Sequence, residues 1–467
     1  MLREGHKIAR RLAVSLTEQY SNHLLVVSLT AIMLSIFLLL AWSALLNFSQ
    51  ASPLYGKYLE KRATTGATPL PPSRDPFYTA PKNYESAAPG AVLRVREAPG
   101  NITSALQNCS AAYNILYRTT NSQYKPAWAV TTLYLPVSKP TKKSTASSSI
   151  SPGDALLSYQ IPYDSADVDS SPSYAVYSGI YSGGGSDIPA ALGRGWFVSV
   201  PDYEGPLASF TAGVMSGHAT LDSVRAVLSS GFGLSANARY AMWGYSGGAL
   251  ASEWAAELQV QYAPELEFSG AALGGLTPNV TSVMLTVNGT VEAGLIPSGI
   301  LGLASQYPEA YDFLVSQLKT SGKYNKTGFL AAKNMTLDQA ILNFADHDIY
   351  AYFQNGSAEF QTPLVQKIIN SDGLMGYHGI PQIPIYAYKA IHDEVSKIAD
   401  SDALVDKYCA VGASILYQRN TVGGHEAEYV NGDARAFEWL ADALSGKLQQ
   451  TGCVIQNVTV ALDSSPL

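Results

Sequence analysis

The stretch 240–258 limits the possible folds of this chain more than any other. An apolar run, Tyr240-Ala-Met-Trp243, meets Gly244-Tyr245-Ser246-Gly247-Gly248, and an Ala/Glu/Leu-rich stretch of helical character follows at once. Strand, sharp turn and helix in that order place a Gly-x-Ser-x-Gly pentapeptide on the turn. The reversal holds Ser246 at backbone angles unfavourable for an L-residue, and a Cβ two positions to either side would collide. Its hydroxyl then stands above the strand end, beside a helix N-terminus with its partial positive charge. The pentapeptide alone is a weak signal, because Gly and Ser are common in loops; the flanking strand and helix strengthen it.

A serine nucleophile needs a base, and in a strand–elbow–helix protein of this kind the order along the chain is Ser, Asp/Glu, His. Of the seven histidines, His6, His23 and His218 precede Ser246. Residues 383–390 read as a buried strand followed by Ile391-His392-Asp393-Glu394-Val395, where a carboxylate past a strand end suits the acid role. With Asp393 as the acid, His425 is the one histidine downstream. It sits in Thr421-Val-Gly-Gly-His-Glu, between a strand-like run at 414–417 and a helical stretch at 434–444. His392 as base and Glu394 as acid are the competing assignments. The oxyanion hole needs two donors. The backbone N–H of Gly247, next after the nucleophile, is the first. The strand 155–161 ends in Pro162-Tyr163-Asp164-Ser165, and Asp164 is the positional candidate for the second, with an Asx-turn as the alternative.

These segments resemble the fungal secretory lipases. The resemblance runs from about Asp75 to the C-terminus. It rests on Asp75-Pro-Phe-Tyr with Glu85-Ser-Ala-Ala-Pro-Gly90, Tyr163-Asp164, Pro201-Asp-Tyr-Glu-Gly205, the serine pentapeptide leading into Gln261-Tyr-Ala-Pro-Glu-Leu266, Asp393-Glu-Val395 and Gly424-His425. It implies an α/β-hydrolase fold with a mostly helical cap, the triad Ser246, Asp393 and His425, and an oxyanion hole at Asp164 and Gly247. The implied activity is hydrolysis of acylglycerol or other fatty-acyl esters, at a lipid–water interface or on a small ester, with no cofactor or metal. Fungal deacetylases that act on trichothecenes are similar as well, so a narrower esterase is an alternative. A serine peptidase of the same fold and a non-catalytic binding protein are the others. One departure stands out: where relatives continue Asp-Glu-hydrophobic-Val-Pro, this chain has Ser396-Lys397-Ile398.

At 467 residues the chain has ample length for a large core. A net charge of −7 offers no basic stripe for nucleic acid. Residues 24–46 are almost uninterruptedly apolar and follow Arg3, Lys7, Arg10 and Arg11, which fits a signal anchor or a long signal peptide. Ser49-Gln50-Ala51 offers a cleavage site, and Lys61-Arg62 a dibasic processing site. Either route delivers the body of the chain into the secretory pathway. Eight sequons downstream of Lys61-Arg62 point the same way: Asn101, Asn108, Asn279, Asn288, Asn325, Asn334, Asn355 and Asn457. Three cysteines in an oxidising compartment leave one unpaired. The family resemblance favours Cys409 with Cys453, and Cys109 as a buried free thiol.

The expected organisation is a signal peptide or anchor over 1–51, a propeptide over 52–62, hydrolase core over 63–277, cap over 278–380 and core again over 381–467. Residues 63–100 read as an extended arm. Strands are expected at 127–135, 155–161, 196–200, 240–243 and 268–273, and cap helices at 311–318, 337–344 and 364–369. The apolar stretch 295–303 suits either cap packing or an acyl tunnel. His347 between Asp346 and Asp348 reads as a polar helix end rather than a metal site.

Overall fold

Residues that alternate in sequence fill two different cores, and this is the signature of a sheet buried on both faces. In the computed structural model, which describes residues 68–137, 153–178 and 187–461, Leu156, Met242, Leu273, Ile385 and Ala387 face one side of a ten-stranded sheet. Leu157, Trp243, Ala272, Tyr386 and Tyr388 face the other. The strands are β1 Val92–Glu97, β2 Cys109–Thr120, β3 Pro126–Pro136, β4 Ala155–Gln160, β5 Phe197–Pro201, β6 Arg239–Tyr245, β7 Ala271–Gly274, β8 Ile385–Ala390, β9 Ile415–Asn420 and β10 Cys453–Val458. Their order across the sheet is 1-2-3-5-4-6-7-8-9-10. Strands β1 to β3 run antiparallel, β5 joins β3 antiparallel, and from β5 to β10 all neighbours are parallel.

Helices clothe both faces. On the first lie α2 (Gly213–Ser229) and α3 (Gly247–Tyr262); on the second lie α1 (Asp187–Gly193) and α10 (His425–Ser445). Helix α2 begins at Gly213. Its first turn packs on α3 so closely that a Cβ on Gly213 would lie 1.9 Å from the Trp254 ring. Strand β4 is flanked by β5 and β6, and the chain passes from one side of it to the other after β5. That reversal opens a crevice at the C-terminal ends of β4 and β6, the place where open α/β sheets bind ligands. Asp164 follows β4 and Ser246 follows β6.

Between β7 and β8 the chain forms α4 (Val280–Val287), α5 (Leu295–Ser305), α6 (Pro308–Ser316), α7 (Leu337–Phe344) and α8 (Pro363–Asp372), with shorter turns between them. Asn279 caps α4, and Thr336 with Gln339 forms a capping box on α7. His347 follows α7, its Nδ1 3.1 Å from the Tyr352 hydroxyl, and Asp348 caps the next 3-10 turn.

Three strands lay outside the sequence reading. The arm at 63–100 is not wholly extended over the surface: it contains β1, pinned by an Arg96–Asp75 ion pair at 2.6 Å and by Arg94 donating to the carbonyls of Pro76 and Thr79. Strand β2 is broken by polar residues, and β10 is exposed along almost its whole length, so neither shows the pattern of a buried strand. The final helix is also longer than expected, starting at His425 itself rather than near 434. Among the described residues no helix is long and apolar enough to cross a membrane. The apolar segment 24–46, the cleavage positions at 49–51 and the Lys61-Arg62 pair lie outside the described residues, as does most of the Ser/Thr/Lys-rich loop after β3.

Candidate active site

Ser246 links β6 to α3 with φ 51° and ψ −120°, a conformation that costs an L-residue energy and recurs at functional positions. Its N–H donates to Gly274 O on the next strand (2.9 Å), and its own carbonyl accepts from Leu250 N (2.9 Å), which fixes the turn from both sides. The pentapeptide glycines are there for space. A Cβ on Gly244 would lie 2.2 Å from the Gly248 backbone, and one on Gly248 would lie 1.9 Å from Gln160 O. One on Gly247 would lie 1.9 Å from Asp164 Oδ1, so the Asp164 carboxyl rests against the nucleophile turn. The Tyr245 hydroxyl donates to His425 O (2.6 Å), tying the elbow to the start of α10.

His425 Nε2 lies 2.9 Å from Ser246 Oγ, and its Nδ1 lies 2.7 Å from Asp393 Oδ2. The structure thus brings together three side chains spaced 147 and 32 residues apart in sequence, whereas His392 is exposed. Glu394 does not meet the imidazole; its Oε2 accepts the backbone N–H of His425 (2.7 Å). Asp393 Oδ1 accepts from Val395 N (2.9 Å) and Ser396 N (2.7 Å). The Ser396 departure therefore has a structural role: its hydroxyl also donates to Leu276 O (3.0 Å), closing the acid loop onto the β7 exit. Burial alone would push the Asp393 carboxyl up. The hydrogen bond and charge of His425, and then Lys389, outweigh burial and hold it well below the usual carboxylate range.

Asp164 has φ 43°, in the left-handed region that Asp tolerates better than most residues. Burial pushes its carboxyl up to about 7, and Oδ1 has no hydrogen-bond partner. Two tyrosines lock its loop to the Pro201–Gly205 segment reciprocally: Tyr163 Oη accepts from Glu204 N (2.7 Å), and Tyr203 Oη donates to Ile161 O (2.9 Å). The N–H of Gly247, first residue of α3, has no intrahelical acceptor. Sequence reasoning did not single out Tyr163, Tyr203 or Lys389 as supports. For Lys389 the signal was visible, a lone charge in an otherwise apolar strand.

Ser246 stands where two cavities meet. One, of about 100 Å³, is almost wholly apolar; Leu295, Ile296, Ile300 and Leu303 of α5 line it, and it reaches Leu314 and Phe360. The stretch 295–303 therefore forms a cavity wall as well as packing. The other, about 660 Å³, is a more polar cleft bordered by Arg74, Asp167, Glu292, Thr336, Asp338, Glu426 and Tyr429.

The secretory lipase family model matches residues 186–452. The chain belongs to the secretory lipase family. It is a carboxylic ester hydrolase of the α/β-hydrolase fold. Trichothecene C-3 esterase of Fusarium sporotrichioides is 55% identical over 84% of this chain and 88% of that protein. Lipase A of Arthroderma benhamiae is 38% identical over 90% of each. Among solved structures, the closed state of Candida antarctica lipase A superposes with a TM-score of 0.74 at 27% identity, covering 85% of this chain and 91% of that one. Like other secretory lipases, the protein acts on esters or lipids.

The Cys409 and Cys453 sulfurs are bonded, joining the end of α9 (Ile398–Ala410) to β10. The bond secures an edge strand and does not touch the His425 loop directly. Cys109 is free, as the sequence implied, but half-buried rather than buried. Of the sequons, Asn101, Asn334, Asn355 and Asn457 are exposed. Asn108, Asn279, Asn288 and Asn325 are half-buried; the Nδ2 groups of Asn108, Asn288 and Asn325 donate within the fold, and Asn279 caps α4.

Proposed function

We propose that this secretory lipase is a serine esterase working through an acyl-enzyme on Ser246. His425 Nε2 takes the Ser246 proton as Oγ attacks the ester carbonyl. Asp393 holds the imidazole in orientation, and the backbone N–H groups of Gly247 and Asp164 receive the oxyanion. Collapse expels the alcohol with the proton from His425, and water then repeats the sequence to free the acid. The observation that carries this reading is the unbroken hydrogen-bonded line Ser246–His425–Asp393 at the junction of two cavities.

The unequal cavities favour an ester with a short acyl chain and a bulky, hydrogen-bonding alcohol. A cleft of about 660 Å³ falls in the range that holds a drug-sized molecule, and one of about 100 Å³ falls below it. The resemblance to the trichothecene C-3 esterase supports the same choice, with a trichothecene ester as the substrate class. Fatty-acyl hydrolysis is the second reading, favoured by the apolar lining that continues to Leu314 and Phe360. Rates on p-nitrophenyl esters from acetyl to palmitoyl, beside a 3-O-acetyl trichothecene, decide between them. A maximum at acetyl to butyryl with rapid deacetylation is expected, and a maximum at long chains with no deacetylation makes the protein a lipase. Residues 278–380 act as the cap, and the body of the chain is secreted after processing near residue 62, with glycans at Asn101, Asn334 and Asn457. N-terminal sequencing and glycan mapping of culture supernatant check this; membrane-bound protein retaining residues 24–46 would mean an anchor.

A further inference from the structure

Lys389 is buried in β8, 1% exposed, four residues before Asp393. Its Nζ donates to Asp393 Oδ2 (2.6 Å) and to Leu276 O (2.8 Å). The carboxylate oxygen that receives the ammonium is the one that receives His425 Nδ1. An apolar side chain would fill a strand core at less cost than a buried charge, and a buried ion pair is weak evidence of stabilisation. Leu276 O, the ammonium's second acceptor, also receives the hydroxyls of Ser396 (3.0 Å) and Ser401 (3.3 Å), so one carbonyl gathers β8, the acid loop and α9.

We propose that Lys389 is a positioning residue for ester hydrolysis, sharing Asp393 Oδ2 with His425 so that its charge both fixes the carboxylate and moderates the basicity of the imidazole. The inference rests on the serine-esterase reading of this site. The other charged and titratable groups around His425 are Asp393 and Glu394 on the acid loop, Glu426 and Glu428 on α10, Asp164 after β4, Glu292 before α5, and the Tyr245 hydroxyl. Apart from that hydroxyl they are carboxyl groups, Glu428 being paired with Arg435, and those that are ionised favour positive charge at the imidazole. Lys389 places a positive charge on the Asp393 oxygen that it shares with His425, opposing that field.

The test is the pH profile of kcat/KM on p-nitrophenyl butyrate for wild type, Lys389→Met, Lys389→Gln and Lys389→Arg, with folding followed by circular dichroism. Loss of the charge in the Met and Gln variants should move the acid limb up by about one pH unit. It should also lower kcat by about tenfold or more with KM unchanged, while Arg keeps the limb at the wild-type position. Gln retains a donor for Leu276 O, so it carries the test if the Met variant does not fold. Activity loss with the acid limb unmoved overturns the proposal, as does wild-type kinetics in either neutral variant. Failure of both neutral variants to fold also overturns it, because the ammonium would then serve the fold and not the base. Labelling of wild type by a fluorophosphonate separates the two levels: absence of an adduct at Ser246 removes the serine-esterase reading itself, whatever Lys389 does.

Discussion

At the residue scale, the site is a set of unfavourable local states held by their neighbours. Ser246 and Asp164 both have positive φ, the Asp393 carboxylate is buried, and each is compensated by specific bonds. Such units act together, so Ser246→Ala or His425→Ala should lower kcat/KM by about 10⁶-fold with the fold intact. Asp393→Asn should cost about 10⁴-fold, since the imidazole keeps a partner there but loses its preferred tautomer and the stabilising charge. Steady-state kinetics with circular dichroism measures all three; an active His425→Ala would overturn the assignment. That Ser246, Asp393 and His425 would be candidates to meet was legible in sequence from motif and order, and their side chains do meet. Of their supports, Tyr163 and Tyr203 act through contacts between segments distant in sequence and left no mark, whereas Lys389, four residues before Asp393, showed only as a lone charge in an apolar strand.

At the scale of elements, the parallel strands were legible because burial on both faces makes them short apolar runs. Edge strands escaped for the opposite reason. Strand β10 buries almost nothing and is held by pairing along β9 and by the Cys409–Cys453 bond. That bond closes a loop spanning 44 residues, for which the chain-entropy model gives about 4 kcal/mol. Cys453→Ser should therefore lower thermal stability markedly, with β10 fraying before the central sheet. Hydrogen exchange by mass spectrometry is the check: early exchange should be confined to β10 and its contacts along β9. Uniform exchange across the sheet would show that the bond stabilises the whole fold rather than one edge.

At the scale of the whole molecule, the interior of the described residues holds many carboxyl groups. Burial pushes Asp164, Asp202 and Asp372 up to about 7, and Asp187, Glu204, Glu253 and Asp433 are raised by the same cause. An unfolded Asp titrates near 3.9. Between about pH 4 and 7 the native state therefore binds more protons than the unfolded chain, and stability falls as pH rises through that window. Asp393, shifted the other way, withdraws its contribution only at strongly acid pH. The melting temperature should be higher at pH 5 than at pH 8, by calorimetry in buffers of matched ionic strength. A melting temperature that rises from pH 5 to pH 8 would mean these carboxyls are ionised and compensated in the folded protein.

The sequence by itself pointed to the three side chains that meet at the site and to the kind of sheet that carries them. Local sterics require glycine around Ser246, and burial on both faces requires apolar strands, so both leave marks on neighbouring residues. The family resemblance added the identity of the bonded cysteines and favoured Asp164 over an Asx-turn reading as the candidate second oxyanion donor. Only the tertiary structure decided which groups support that site. The convergence of the Lys389 ammonium on Leu276 O, the paired tyrosines behind Asp164 and the two unequal cavities at Ser246 each depend on segments tens to hundreds of residues apart. Cavity volume and shared hydrogen bonds are properties of packing between such segments, and packing leaves no periodic trace in the chain.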